Sequence, residues 1–289
     1  MSQIQGSGWF AQLAGSVNCN DDGKIYVNPS GLDINDGSFF FPVKTLTKAF
    51  TLVSASRPVV VMAPGSYVEA AAVAWPNVSG VALVGAGCNV TSISVTGYAA
   101  SVINVIPGAK SSTFTGLIQG VEIDHSGLTA ALTYGQIGIQ FSNATVTKKI
   151  QFNIKNCGWS WEEDTDQSVK VVHTDTGNAV RIYISGDGSQ QEIGAMYFAV
   201  GNNADRLHCE NLWLMCPITT VGADQLRVRL LKCIVQEHSV SVAVACNSSL
   251  VTVTLLDCFQ WTDYDDTVAE IFEQAEAANV TGTTAVIVD

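Results

Sequence analysis

A short pattern that recurs from residue 120 onward limits the folds open to this chain more than any other feature. Three segments end an alternating strand with an apolar residue, a polar residue and a cysteine: Ile154–Gly158, Leu230–Ile234 and Leu255–Phe259. Two further segments fit the same frame, with Gly120 and Leu212 in the place of the cysteine. Repetition of this kind predicts a solenoid, in which each coil buries its inner face on its neighbours.

The spacing of these anchor positions is uneven, so the coils must differ in loop length. The interval from Cys157 to Leu212 is the longest, and it fits two coils if it holds an extra turn near Ile182–Ile184. Alternation of apolar and polar residues with a period near two predicts short strands and little helix. The predicted strands are Val81–Val84, Ser92–Val95, Ser101–Val105, Gly120–Ile123, Ile137–Phe141, Lys149–Ile154, Ser168–Val172, Ala179–Ile184, Met196–Val200, Leu226–Leu231, Val240–Ala245 and Leu250–Leu255. A β-sandwich also shows short alternating strands and is the alternative fold.

The segment Lys24–Glu69 has a distinctive order of elements. Thr45, or Thr47 after it, can cap a short helix that runs to about Ser54, where apolar residues recur at spacings of three and four. The full order is a strand at Ile25–Val27, a turn ending at Asp36–Ser38, the approach Pro42–Leu46, the helix, and an apolar strand at Val59–Met62.

This order resembles the N-terminal segment of the pectin-lyase-like superfamily, which includes many phage tail-spike and fibre proteins. The resemblance covers about Ile25–Gly87. It implies an all-β chain, a right-handed single-stranded parallel β-helix whose short N-terminal helix covers the open end of the stack. Activity does not follow from it, because the same fold carries lyases, hydrolases, epimerases and inert virion parts.

Three parts of the chain are predicted. Residues 1–24 form an N-terminal docking or attachment segment, residues 25–262 the parallel β-helix, and residues 263–289 a C-terminal cap or intersubunit segment. The last part is expected to hold a helix over Thr267–Ala278 and a strand over Thr284–Val288.

The N-terminal part carries Trp9, Phe10 and Leu13 among Gly, Ser and Gln. These residues either pack a strand or helix on the first coil or dock into another subunit. Phage fibres and spikes of the resembled type commonly attach through this region, so the resemblance favours docking onto another virion protein.

Composition limits the class of partner. The chain has 289 residues, 47% of them hydrophobic, which is enough to bury a large core. A formal net charge of −12 argues against nucleic acid as a partner, and against a polyanionic substrate unless a divalent cation bridges the two. No secretory signal and no uninterrupted apolar run of about 18 residues is present, so a membrane partner is not expected.

The eight cysteines form no C-x-x-C pair and match no zinc spacing, so they are predicted to be reduced and mostly buried. The run Asp33-x-Asn35-Asp36-Gly37 lacks the distant glutamate of a calcium loop and is predicted to be a turn. Neither a metal nor another cofactor is predicted.

Catalytic motifs of the resembled superfamily are not found, and no catalytic residue is predicted. Arg181, Arg227 and Arg229 lie at alternating strand positions, where an outward side chain is the default. The polygalacturonase and uronan epimerase motifs are also missing from the sequence.

The best candidate for a binding site is an acidic run beside two tryptophans. Trp159 and Trp161 would share one face of a strand, and Glu162, Glu163 and Asp164 follow them. Aromatic faces beside carboxylates suit a neutral sugar. The alternative is a solvated loop above buried tryptophans, because a local charge run is usually a solvated face.

The expected function is that of a structural virion component: a phage-type fibre, spike or capsid-decoration protein, assembled in the host cytoplasm as a homotrimer and in contact with a cell-surface glycan. Low charge, the missing secretory signal and the missing catalytic motifs favour it. The alternative is a polysaccharide lyase or glycoside hydrolase acting on a bacterial glycan.

Overall fold

A computed structural model describes residues 23–96, 101–108, 110–126, 137–143, 147–160, 166–173, 179–187, 192–200, 205–214, 218–221, 226–236, 244–246, 252–261 and 285–288. These residues form a right-handed parallel β-helix with one short helix. Successive coils each contribute a strand to each of three faces, and the strands of neighbouring coils pair in parallel.

The largest face is a ten-stranded sheet. Its strands, numbered in chain order and given in spatial order, are β1 Lys24–Val27, β2 Val59–Met62, β5 Val81–Val84, β8 Lys110–Gln119, β11 Thr147–Lys155, β14 Ala179–Ser185, β17 Asp205–Glu210, β20 Leu226–Leu231, β23 Thr252–Leu256 and β25 Ala285–Val288.

The other two faces hold shorter sheets. A seven-stranded sheet contains β4 Val73–Ala74, β7 Ser101–Val105, β10 Ile137–Asn143, β13 Gln167–His173, β16 Ala195–Val200, β19 Ile218–Val221 and β22 Val244–Cys246. The third face is made of two four-stranded sheets, one of β3 Gly65–Glu69, β6 Thr91–Val95, β9 Glu122–Asp124 and β12 Gly158–Ser160, and one of β15 Glu192–Ile193, β18 Trp213–Leu214, β21 Ile234–Gln236 and β24 Phe259–Trp261.

The core consists of stacked rows of inward side chains. Because side chains alternate along a strand and the coils are in register, equivalent apolar residues lie directly on one another. One row on the ten-stranded sheet is at most 2% exposed and contains Leu83, Ile118, Ile154, Ile184, Cys209 and Leu230.

A row of aromatic side chains packs inside the coils. The ring centroids of Phe50 and Trp75 are 5.1 Å apart, those of Trp75 and Phe152 4.9 Å, and those of Phe152 and Phe141 5.0 Å. The rings meet edge to face, which is a favoured arrangement for aromatic pairs. Gly116 lies opposite Phe152 on the neighbouring strand and leaves the space that this ring occupies.

The turns after five strands of the ten-stranded sheet, β8, β11, β17, β20 and β23, repeat the same backbone geometry. The φ angles are positive at Gly120 (65°), Asn156 (51°), Asn211 (53°), Lys232 (51°) and Asp257 (50°). Glycine and asparagine tolerate this left-handed conformation best. The amide N–H of the turn residue donates to a carbonyl of the next coil in each of the turns at 120, 156, 211 and 232.

The recurring sequence pattern therefore marks this turn, with one correction. The residue at the left-handed position is the one before each cysteine, so Gly120 corresponds to Asn156 rather than to Cys157. Val121 takes the cysteine place and is fully buried. The extra coil predicted near Ile182–Ile184 is confirmed as β14.

The single described helix, α1 (Leu46–Leu52), caps the first coils. The Thr45 side chain accepts a hydrogen bond from the Lys48 N–H, which confirms the cap predicted there. The helix buries Leu46, Ala49 and Phe50 in the core. No helix in these described ranges is long and apolar enough to cross a membrane.

Several predicted elements can be compared with the structure. The strand predicted at Thr284–Val288 is present as β25, which pairs with β23. The helix predicted over Thr267–Ala278 lies outside the described residues. Strands of two or three residues after the turn, such as β15 and β18, were not predicted, because they are too short to show a period.

Candidate functional site

The outward face of the ten-stranded sheet carries a concentration of positive charge. Along β11, β14, β17 and β20, every second side chain points away from the core, as the alternating burial shows. Six of the 14 lysines and arginines of the chain project from this surface. We call it the cationic face, and it consists of Lys149, Lys155, Arg181, Arg206, Arg227 and Arg229.

Three of the arginines form a single row across neighbouring strands. Arg181 pairs in register with Arg206, and Arg206 with Arg227. Adjacent strands lie about 4.8 Å apart, so the row places one guanidinium group per strand along the helix axis. Burial, followed by the positive charges of Arg181 and Arg206, lowers the pKa of the Lys149 ammonium. Lys149 therefore belongs to the same electrostatic cluster.

The cations of this face are not neutralised by neighbouring side chains. None of the six forms an ion pair or a side-chain hydrogen bond with another described residue. The Nε atom of Arg181 is buried without a hydrogen-bond partner in this part of the chain. In the ten-stranded sheet, the described strands β8, β11, β14, β17, β20 and β23 carry one outward carboxylate, that of Glu210. Like charges that are held together without counter-charges attract an anionic ligand.

A second row, next to the arginine row, combines aromatic and titratable groups. Tyr183, His208 and Arg229 occupy equivalent positions on β14, β17 and β20. The rings of Tyr183 and His208 are 6.0 Å apart at an angle of 39°, and His208 Nε2 is 4.0 Å from Glu210 Oε2.

Burial and neighbouring charges set the protonation state of His208. Burial is the main cause that lowers the pKa of His208, the nearby Arg229 lowers it further, and Glu210 acts in the opposite direction. The imidazole is therefore neutral near pH 7 and able to accept a proton. A half-buried tyrosine ring, a neutral base and several cations share one surface as a result.

The site predicted from the acidic run is only partly within the described residues. Trp159 is 8% exposed and packs in the main core cluster, so its ring faces the interior rather than a ligand. Trp161, Glu162, Glu163 and Asp164 lie outside the described residues, as do Trp9, Phe10 and Leu13 of the predicted docking segment.

A buried histidine lies near the described carboxylates of Asp124 and Asp166. His125 is fully buried, and neither ring nitrogen has a hydrogen-bond partner in the described part of the chain. Burial lowers the pKa of His125, and the charges of Asp166 and Asp124 partly counter this effect. Such a group bears on stability, because the charged imidazole is disfavoured inside the fold.

The turn predicted at Asp33–Gly37 is confirmed by its hydrogen bonds. The Asp33 carboxylate accepts from the Lys44 and Thr45 amides and from the Thr45 hydroxyl, and Asp36 accepts from the Ser38 amide. In the described ranges, no cluster of three or more His, Cys, Asp or Glu side chains suits a metal ion.

The sequence predicted outward positions for Arg181, Arg227 and Arg229, but it did not predict that they lie together in one cluster. Arg206 was not singled out, because the start of its strand, and therefore its register with Arg181, cannot be read from the sequence. The overall charge of −12 argued against a polyanionic ligand, yet that average conceals a local cationic surface.

Comparison with solved structures yields low similarities. Pectin methylesterase from carrot has a TM-score of 0.48 at 12% identity, covering 92% of this chain and 88% of that one. PemA, a pectin methylesterase from Erwinia chrysanthemi, has a TM-score of 0.41 at 12% identity, with coverages of 86% and 95%. ORF18 of Geobacillus virus E2 has a TM-score of 0.38 at 12% identity, with coverages of 97% and 62%. None of their activities is transferred to this chain.

Comparison of the sequence with known families identifies the family of this chain. No curated protein sequence matches the chain significantly. A family described as "Protein of unknown function (DUF1565)" matches residues 29–204, which is more than half of the chain and runs from the turn after β1 to the start of β17. The chain belongs to the DUF1565 family.

Proposed function

We propose that this chain is a structural virion component of the fibre, spike or capsid-decoration type, and that its cationic face binds an acidic glycan on a host surface. The observation that carries the proposal is the in-register row of Arg181, Arg206 and Arg227, which no described side chain neutralises. Guanidinium groups bind carboxylate and sulfate oxygens through paired hydrogen bonds.

The shape of the cationic face favours a linear ligand. One cation per strand along the axis matches a chain that carries anionic groups at regular intervals, such as a polyuronate. The polar neighbours Gln151 and Asn153 lie on the same outward surface and can bond to sugar hydroxyls, and the Tyr183 ring offers a stacking surface. Nucleic acid is less favoured because the remainder of the molecule is strongly acidic and repels a long polyphosphate.

Binding to defined polysaccharides tests this proposal. The full chain would be titrated with an alginate or polygalacturonate oligomer in a calorimeter, with neutral dextran as the ligand control. We expect binding of the uronates only, and weaker binding as sodium chloride rises, because salt screens exposed charges.

Variants localise the site. Changing Arg206→Ser together with Arg227→Ser should weaken binding about tenfold, since two exposed charge pairs contribute up to about 1 kcal/mol each. The matched control is Lys44→Ser, which removes an exposed cation beside β1, four strands away from β11 and the cationic face. Equal losses in the two variants, or preferred binding of single-stranded DNA, would overturn the glycan proposal.

The assembly is proposed to be a homotrimer that attaches to another virion protein through residues 1–24. Support comes from the resemblance of Lys24–Glu69 to phage spikes and from Trp9, Phe10 and Leu13 in the N-terminal segment. Light scattering of the full chain should give a trimer mass, and the triple change Trp9→Ser, Phe10→Ser and Leu13→Ser should leave it unchanged. A monomer in both cases would refute the fibre and spike proposal.

The alternative function, a polysaccharide lyase, is favoured by one specific arrangement. His208, neutral near pH 7, lies between Arg229 and Glu210 on the outward face. A lyase needs a base to remove the proton beside a uronate carboxylate and a cation to neutralise that carboxylate. A hydrolase needs a pair of carboxylates, and the described part of this face offers only Glu210.

Product analysis separates binding from cleavage. A lyase would produce unsaturated uronates, which absorb ultraviolet light, and His208→Ala would abolish this signal while binding to the Arg206 row persists. Binding without any unsaturated product would support the structural role.

A further inference from the structure

Two cysteines on neighbouring coils occupy equivalent positions near the C-terminal end of the stack. Cys233 follows the left-handed turn residue Lys232, and Cys258 follows the turn residue Asp257 in the next coil. The Lys232 amide donates to the Leu256 carbonyl, and Ile234 pairs with Phe259, so the two cysteines face each other in register. Neighbouring strands are about 4.8 Å apart, which lies within the Cα–Cα range of a disulfide bond.

The sulfur atom of Cys258 is directed toward the preceding coil. Cys258 Sγ donates to the Leu256 carbonyl of its own coil and to the Leu230 carbonyl of the preceding coil, at 3.4 Å in each case. Cys233 Sγ donates to the Leu231 carbonyl at 3.4 Å. The Cys258 sulfur therefore already reaches the coil that carries Cys233.

Reactivity differs between the two thiols. Cys233 is fully buried, whereas Cys258 is only half-buried and open to a small reagent. The hydrogen bond with the Cys233 thiol lowers the pKa of Cys258 below that of an ordinary thiol. A thiolate is the form that attacks a disulfide, so Cys258 is suited to react first and Cys233 to react second.

We propose that Cys233 and Cys258 form a reversible disulfide bond when the chain meets a low-molecular-weight disulfide, and that this bond ties two neighbouring coils together. In the first step the Cys258 thiolate attacks one sulfur of glutathione disulfide, and one glutathione thiolate leaves. In the second step Cys233 gives its proton to water and attacks Cys258 Sγ, which releases the second glutathione. Two cysteines are oxidised and one glutathione disulfide is reduced.

The consequence is a redox-dependent link between two neighbouring coils. Each coil of a solenoid contacts only its neighbours, so separation of two adjacent coils is a route of local opening. A bond across the two coils opposes this separation after the chain leaves a reducing compartment. The inference concerns the thiols alone and is independent of glycan binding.

The test is incubation of the full chain in a buffer of reduced and oxidised glutathione, followed by intact mass and by peptide mapping without reduction. We expect a mass decrease of two hydrogen atoms and a cross-linked peptide pair that joins residues 233 and 258. Cys258→Ser should lose both the decrease of two hydrogen atoms and the cross-linked peptide pair, whereas Cys233→Ser should retain one glutathione on Cys258. Cys209→Ser is the matched control, a buried neighbouring thiol whose loss should leave the bond intact.

Thermal unfolding gives a second readout that does not depend on mapping. The oxidised chain should unfold at a higher temperature than the reduced chain, and the difference should vanish in Cys258→Ser. A full set of free thiols after incubation, or a bond that joins Cys88 to Cys157 or Cys209 to Cys258 instead, would overturn the proposal.

Discussion

The Glu69 carboxylate holds the capping helix to the first coils, and its removal should uncouple the two. Glu69 is 3% exposed. Its Oε1 accepts from the Leu46 amide at 2.6 Å, and its Oε2 accepts from the Thr47 hydroxyl at 2.6 Å and from the Thr47 amide at 3.3 Å. These donors are at the first turn of α1, where amides have no partner within the helix.

The loss of stability expected on substitution of Glu69 follows from these hydrogen bonds. Hydrogen bonds to a charged group contribute about 1.5–3 kcal/mol each, so the two short bonds together contribute about 3–6 kcal/mol. The cost of burying the carboxylate offsets part of this sum. We therefore expect Glu69→Ala to lower the free energy of unfolding by about 3 kcal/mol, because it leaves the buried donors of Leu46 and Thr47 without a partner. Glu69→Gln keeps the volume and one acceptor and should cost about 1 kcal/mol.

Urea unfolding followed by tryptophan fluorescence measures this change. Trp75 reports on the docking of α1, because its ring contacts Phe50 of the helix at 5.1 Å. The control is Glu192→Ala, which removes an exposed glutamate from β15. The reasoning fails if Glu69→Ala unfolds within about 0.5 kcal/mol of the control, since changes of that size are typical of ordinary surface positions.

The structure also predicts how low pH and a substitution at Gly116 affect the stability of the fold. His125 is neutral in the folded chain because burial lowers its pKa, while the unfolded chain takes up a proton below about pH 6.5. The free energy of unfolding should therefore fall as the pH drops below that value. Urea titrations at several pH values should show that His125→Gln flattens this dependence. An unchanged slope of the free energy of unfolding against pH would show that other groups cause it. Gly116→Ala would place a methyl group against the ring of Phe152, and overpacking of this kind costs about 1–3 kcal/mol. Calorimetry should show a lower unfolding temperature for Gly116→Ala, and a change within error would mean that the ring moves aside freely.

The turn pattern shows how far local sequence information reaches. The segment ending in Asn156-Cys157 and its equivalents identified several coils, because a left-handed turn residue followed by an apolar residue recurs at five of the turns. The cap at Thr45 was equally local, since a capping side chain bonds to the backbone three residues ahead. The short strands β15 and β18 were missed for the converse reason, because two residues carry no periodicity.

The buried position of Trp159 shows what a local pattern leaves undecided. Alternation placed Trp159 on one face of a strand but did not say which face pointed inward. The structure places its ring in the core. Inward and outward are decided by packing against other coils, and a shift of one residue exchanges the two faces.

Short strands, turns and a helical cap could be predicted from the sequence, because strand period, turn residues and caps are properties of a few consecutive residues. The parallel stacking of the strands was implied by the resemblance to the pectin-lyase-like superfamily, with a β-sandwich as the alternative. Which side chains meet depends on the packing of the coils on one another. Arg181, Arg206 and Arg227 form a row, and Cys233 faces Cys258, because backbone hydrogen bonds and inward packing set the register between coils. The loops between these coils differ in length, so residues that are neighbours in space have no fixed separation along the chain.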